Sequence, residues 1–227
     1  MALKEKLLAV AATTAISITS TTAFSANPAQ YYFGANTATK KAIVTPGYSQ
    51  YGSERVGNLW MCSHAALKMA LATFGVNKTL GEIHNDFKQM NPNYTAVSSV
   101  CPRGSCPHIQ HMMEKLLWKY DRDGLGVSGT YESVSSAAAF GNRMKQLASE
   151  GKVAVVLSRT NNYGRGNIGH FYVVHGWRTE NGKQYLYVRD PEIARSGNTD
   201  EHSITVEQWW EWMNRNGNIQ FLRVGLR

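Results

Sequence analysis

After its first 25 residues, this sequence holds no run approaching the roughly 18 apolar residues that a membrane-spanning helix needs. It also holds no run of basic residues. The formal charge is +8, but the lysines and arginines are scattered. Scattered charge of this kind is a solvated surface and not a groove for an anionic polymer. Neither a membrane span nor a nucleic-acid partner is therefore expected. There is no internal repeat and no low-complexity segment, which leaves one domain long enough to bury a sizeable core. Cysteine is sparse too: only Cys62, Cys101 and Cys106 are present. An odd number in an exported chain marks one of them as a free, reactive thiol.

Export is expected from residues 1–25, which read as a secretory signal peptide. Lys4 and Lys6 form a basic start, Leu7 to Ile18 a short apolar stretch broken by Thr13, Thr14 and Ser17, and Ala23-Phe24-Ser25 a small-residue cleavage point. Cleavage after Ser25 would leave residues 26–227 as one secreted or periplasmic domain. In an oxidising compartment the tight loop Cys101-Pro102-Arg103-Gly104-Ser105-Cys106 can close as a disulfide. Cys101, Cys106, His108 and His111 are the competing arrangement, as four zinc ligands at cramped spacing. The disulfide leaves Cys62 unpaired and requires no metal and no cofactor.

Cys62 opens a helical stretch. Leu67, Leu71 and Phe74 recur at i, i+4 and i+7, with Ala66, Met69 and Ala70 widening the face, and Gly75 closes the helix. A thiol at a helix start meets the positive end of the macrodipole and unpaired N–H groups, which favours the nucleophilic thiolate. Residues 26–57 read as an extended lead-in wrapping the surface, ended by turn chemistry at Thr45 to Gln50. Thr79 and Glu82 spell a capping box for a second helix. Further helices are expected over His108 to Tyr120 and Glu132 to Glu150, with a loop between them over Asp121 to Tyr131.

The period then changes. Val153 to Leu157 reads as a buried strand, followed by a polar loop over 158–169. His170 to Trp177 and Tyr185 to Asp190 read as strands joined by an Asn181-Gly182 hairpin turn, with Pro191 stopping the second. A short helix over Val206 to Met213 and a last strand over Ile219 to Val224 complete the chain. Helices first and antiparallel strands second predict an α+β fold with helices on one side of a curved sheet. A cysteine nucleophile needs a base, and the base an orienter. His170 opens a strand after a Gly-containing loop, at a sheet edge. His175 falls on the opposite face, and Asp190 ends the partner strand.

These pieces, in this order, resemble papain-like cysteine peptidases. The resemblance is nearest to the bacteriocin-processing peptidase domains of bacterial export transporters and to papain-like avirulence-effector proteases. It rests on Gln50, on Glu54-Arg55-Val56-Gly57, on Cys62-Ser63-His64-Ala65-Ala66-Leu67-Lys68-Met69, on Gly169 to Gly176, and on Val188-Arg189-Asp190-Pro191. It implies a papain-like fold of N-terminal helices on a curved antiparallel sheet. It also implies Cys62 as nucleophile, His170 as general base, Asp190 as its orienter, and an upstream glutamine completing the oxyanion hole. In much of that family the glutamine stands six positions before the cysteine, where this chain has Val56. Gln50 stands twelve before, with Asn58 as the competing donor. The function expected is that of a secreted, monomeric protease acting on a protein or peptide substrate, of the kind found among bacterial virulence effectors. The alternatives are a peptidoglycan amidase or transglutaminase-like enzyme on the same triad, or a non-catalytic binding module.

Overall fold

The computed structural model describes residues 37–51, 54, 61–92, 107–158, 170–192, 201–213 and 219–227. The expected signal peptide, the Cys101–Cys106 loop, Asn58 and the loop over 159–169 lie outside the described residues. The chain runs β1 (Lys40–Ala42), α1 (Cys62–Thr73), α2 (Leu80–Met90), α3 (Pro107–Arg122), β2 (Val127–Val134) and α4 (Ala137–Ser149). It continues through β3 (Val153–Ser158), β4 (His170–Glu180), β5 (Lys183–Arg189), β6 (Glu201–Thr205), α5 (Val206–Met213) and β7 (Ile219–Leu226). The strands form one antiparallel sheet in the order β2-β7-β3-β4-β5-β6, with β1 paired to β4. This is the α+β architecture expected from the sequence.

The helices occupy both faces of the sheet, where one side was expected. Leu67, Leu71, Phe87 and Leu117 from α1, α2 and α3 pack on Val153, Val155, Phe171 and Val173. On the other face, Phe140 and Met144 of α4 and Trp209 of α5 cover Ala154, Val156, Tyr172 and Val174. The reason lies in β3: all five residues from Val153 to Leu157 are apolar and buried, so both of its faces need cover.

Asp121 to Tyr131, expected as loop, ends in β2, which continues through Val134; α4 starts only at Ala137, behind a Ser136 cap. β2 pairs along its whole length with β7, about 90 positions downstream, a partner that no local pattern announces. The capping box is as expected: the Thr79 hydroxyl accepts from Glu82 N–H at 3.1 Å, and the Glu82 carboxylate accepts from Thr79 N–H at 2.7 Å. The hairpin turn is also as expected. Asn181 at φ 50° and Gly182 at φ 74° are both left-handed, the conformation of a two-residue turn that follows strand twist.

β1 is held by an unusually close approach. Ala42 lies against Gly176, and a side chain there would place its Cβ 2.5 Å from the Lys41 carbonyl oxygen and 2.6 Å from Ala42 Cα. Both obstacles are backbone, so neither can swing aside. Gly176→Ala is expected to lower unfolding free energy by about 1–3 kcal/mol. Urea titration measures it, and an unchanged midpoint would show that β1 adapts without cost.

The described part of the lead-in is partly buried, where a surface wrap was expected. Ile43, Thr45 and Gln50 are buried, and residues 43–51 form a strap between α1 and the end of β5. Ile43 N–H donates to the His175 carbonyl at 2.8 Å, and Arg189 Nε donates to the Thr45 carbonyl at 3.0 Å. The Thr45 and Thr73 hydroxyls meet at 3.2 Å. Further on, the Lys68 ammonium sits 4.1 Å from the centre of the Tyr48 ring. The strap therefore runs antiparallel to α1, starting beside its last turn.

Candidate active site

Cys62 is the first residue of α1, half-buried and packed at the margin of the first core cluster. The helix opens from Met61 with no side-chain cap and no acidic residue in its first turn. Its first intrahelical bond runs from Ala65 N–H to the Met61 carbonyl at 2.8 Å. The amides before Ala65 therefore have no acceptor inside the helix that Cys62 opens.

His170 begins β4, an interior strand, so the edge it occupies is the strand-end edge of the sheet. The hairpin returns the chain to the same end, and Asp190 is the residue after β5. His170 Nε2 donates to Asp190 Oδ1 at 2.6 Å. That oxygen also accepts from Glu192 N–H at 2.8 Å, which fixes the carboxylate by its own turn. Asp190 is only 1% exposed, while the His170 side chain keeps 15%. The imidazole thus retains one outward aspect. With Nε2 committed to Asp190, Nδ1 is the nitrogen left for the Cys62 thiol, which lies near enough to act on the His170 pKa.

Burial by itself pushes the His170 pKa down. The hydrogen bonds to Asp190 and to Cys62, with the charge of both, outweigh it and raise the value to about 9. The ring is then an imidazolium at neutral pH. Tyr172, two residues along on the same strand face, sets its ring edge-on to His170 with centroids 4.6 Å apart, and Trp209 backs Tyr172 at 5.2 Å. Sequence reasoning passed over Tyr172, although the i+2 period of a strand places it beside His170.

The other histidines are placed elsewhere. His175 is buried with Nδ1 2.7 Å from the Ile43 carbonyl, and burial lowers its pKa to about 4. His64 turns into the α1–α2 interface, against His84 and Phe87. Burial, and then His84, bring its pKa to about 3. His111 is exposed on α3 beside Tyr131.

These three shifts set a pH window for stability. His64 and His175 stay neutral in the native state while the unfolded chain takes up protons below about 6.5, so their contribution is lost as pH falls from there toward 4 and 3. At pH 5 this costs about 2 kcal/mol apiece. His170 has the opposite sign: its contribution is full below about 6.5 and is lost as pH rises to about 9. Urea midpoints should peak near pH 6.5, and His64→Leu should flatten the acid side. A midpoint that stays level from pH 6.5 to 5 would contradict this.

Gln50 is 1% exposed, and both polar atoms of its side-chain amide lack a hydrogen-bond partner among the described residues. Its backbone N–H donates to the Pro191 carbonyl at 3.0 Å, beside Asp190. The strap gives its level along α1. Thr45 lies at Thr73 and Tyr48 at Lys68, so three strap residues cover five helix residues, about 7.5 Å of rise. Two more residues at that rate, about 5 Å, carry Gln50 on toward the first turn, where Cys62 lies. Among the described residues no cluster of His, Cys, Asp or Glu is arranged to hold a metal ion. No helix among them is long and apolar enough to cross a membrane.

The model of the Peptidase_C39 like family matches residues 43–218. Among solved structures, the chain is similar to the crystal structure of UfSP from C. elegans, at a TM-score of 0.53 and 12% identity. That match covers 88% of this chain but 37% of UfSP, so this chain spans little more than a third of that protein's length. The chain is also similar to the peptidase domain of Streptococcus ComA, a bi-functional ABC transporter of a quorum-sensing pathway. There the TM-score is 0.42 and the identity 15%, over 77% of this chain and 95% of that domain. No curated protein matches the sequence significantly. The papain-like fold expected from the motifs is the fold observed.

Proposed function

Because this chain belongs to the Peptidase_C39 like family, and is by family and fold a cysteine peptidase, we propose that it cleaves peptide bonds by acyl transfer through Cys62, His170 and Asp190. The observation that carries this reading is the position of His170. One imidazole is hydrogen-bonded to a buried carboxylate through Nε2 and lies within electrostatic reach of the half-buried thiol at the start of α1.

The steps follow from that arrangement. The resting imidazolium already holds at Nδ1 the proton taken from the thiol, and the sulfur attacks the peptide carbonyl carbon. The oxygen that becomes negative is met by the Cys62 backbone N–H and by the Gln50 side-chain amide. As the C–N bond breaks, His170 returns its proton to the leaving amine and a thioester remains on Cys62. A water then gives a proton to Nδ1 and attacks the thioester carbon. The acid product leaves, and Nδ1 keeps the proton, which restores the resting imidazolium beside the sulfur. Asp190 accepts from Nε2 throughout, which holds the ring in the tautomer that the first step needs.

The substrate in this reading is a protein or peptide. Mass spectrometry separates it from amidase chemistry, with Cys62→Ala as the blank. Wild type should create new peptide termini in casein that are absent from the blank, and release nothing from peptidoglycan. Release of stem peptides with casein left intact would favour the amidase. The reading also includes export with cleavage after Ser25, which N-terminal sequencing of the secreted form would establish.

A further inference from the structure

Resting on the proposed role of Gln50, we propose that Tyr51 and Glu192 form a positioning pair that locks the oxyanion donor to the turn carrying the imidazole's orienter. The Tyr51 hydroxyl donates to Glu192 Oε1 at 2.7 Å, joining residues far apart in sequence. Each sits next to a residue the reaction uses. Tyr51 follows Gln50, and Glu192 lies two residues past Asp190, with its own N–H bonded to Asp190 Oδ1 at 2.8 Å.

The pair completes a ladder of ties between the strap and this turn. Arg189 Nε donates to the Thr45 carbonyl at 3.0 Å, and Gln50 N–H donates to the Pro191 carbonyl at 3.0 Å. The Tyr51 hydroxyl closes the ladder on the far side of Gln50. A donor fixed on one side alone can pivot about that single bond; one fixed on both sides cannot. The amide of Gln50 has no side-chain partner of its own among the described residues, so its aim depends on its backbone. Asp190 does not share that dependence, since Glu192 N–H holds its carboxylate whatever the Glu192 side chain does. The clip therefore acts on the oxyanion donor and leaves the imidazole in place.

This separation gives a readout that a purely structural role would not produce. Cleavage of a peptide bond passes through an oxyanion, and a small misplacement of its donor slows the reaction. Alkylation of Cys62 by iodoacetamide forms no oxyanion. In Tyr51→Phe, kcat on labelled casein should fall about 10-fold, with KM and the alkylation rate at pH 7 within about twofold of wild type. Glu192→Ala should match it, the double variant should be no worse than either single, and Glu192→Gln, which keeps an acceptor, should recover most of the rate. Unchanged kcat in Tyr51→Phe would overturn the proposal. So would losses that add in the double variant, or a fall in kcat matched by alkylation rate and melting temperature. Gln50→Ala run alongside separates the two readings. If it is impaired while Tyr51→Phe is normal, only the clip fails. If Gln50→Ala is normal, the role of Gln50 fails and takes the clip with it.

Discussion

His170→Ala is expected to reduce casein cleavage by at least about 1,000-fold, because one ring serves as base for the thiol, acid for the amine and base for the water. It should also slow alkylation of Cys62 near neutral pH, since the group that accepts the thiol proton is gone. His175→Ala should keep most of the activity and lose stability, because its ring is packed against the Ile43 carbonyl away from the sulfur. Asp190→Asn should fall between wild type and His170→Ala, since it removes only the group that aims the ring. In wild type, activity should decline on the alkaline side near pH 9, where His170 loses the proton that the leaving amine needs. Iodoacetamide rates across pH for the variants decide the matter. Slow alkylation in His175→Ala with a normal rate in His170→Ala would reverse the assignment.

Gln50→Ala carries the second large effect, a loss of about 100- to 1,000-fold in kcat with little change in KM. The side chain is buried with no protein partner among the described residues, so removing it breaks no bond that holds the fold. A buried amide left unpaired costs free energy in the resting protein, and a carbonyl oxygen that turns negative is the acceptor it lacks. The melting temperature should hold or rise while turnover falls. If Asn58→Ala shows the kinetic loss and Gln50→Ala does not, the donor comes from the segment next to Cys62 instead of the strap.

Much of this site was legible because it lies where local patterns end. Cys62 was marked by the helical period that starts at it, and Thr79 by the glutamate three residues on. The Asn181-Gly182 turn returns β5 along β4, and a register shift between Val174 and Gly176 adjusts the pairing before Asp190 reaches the His170 end. What was not legible depends on distant partners. β2 carries Ser128, Gly129, Thr130 and Glu132, a poor strand on propensity alone. Gly129 is there because Leu117 packs against it: a Cβ would fall 2.2 Å from Leu117 Cδ1. β1 and β6 are too short and too charged to stand out. The strap looked like surface because it is rich in turn residues. Ile43, Thr45 and Gln50 are buried because α1 closes over one side of the strap and the end of β5 over the other.

The pairing of β1 with β4 and of β2 with β7 has a consequence in time. Both pairings join segments far apart in the chain, and chains closed by such contacts fold slowly. Cys62 and His170 are separated by more than a hundred residues. At ribosomal speeds of about 5–20 residues per second, the base emerges roughly 5–20 s after the nucleophile. Throughout that interval the thiol has no proton acceptor, and the strap has no β4 or β5 to bind. The nascent polypeptide therefore passes through its most exposed, most digestible stage without the means to cut itself or its neighbours. Competence arrives only when β4 and β5 have been made and bring His170 and Asp190 to the strap and α1.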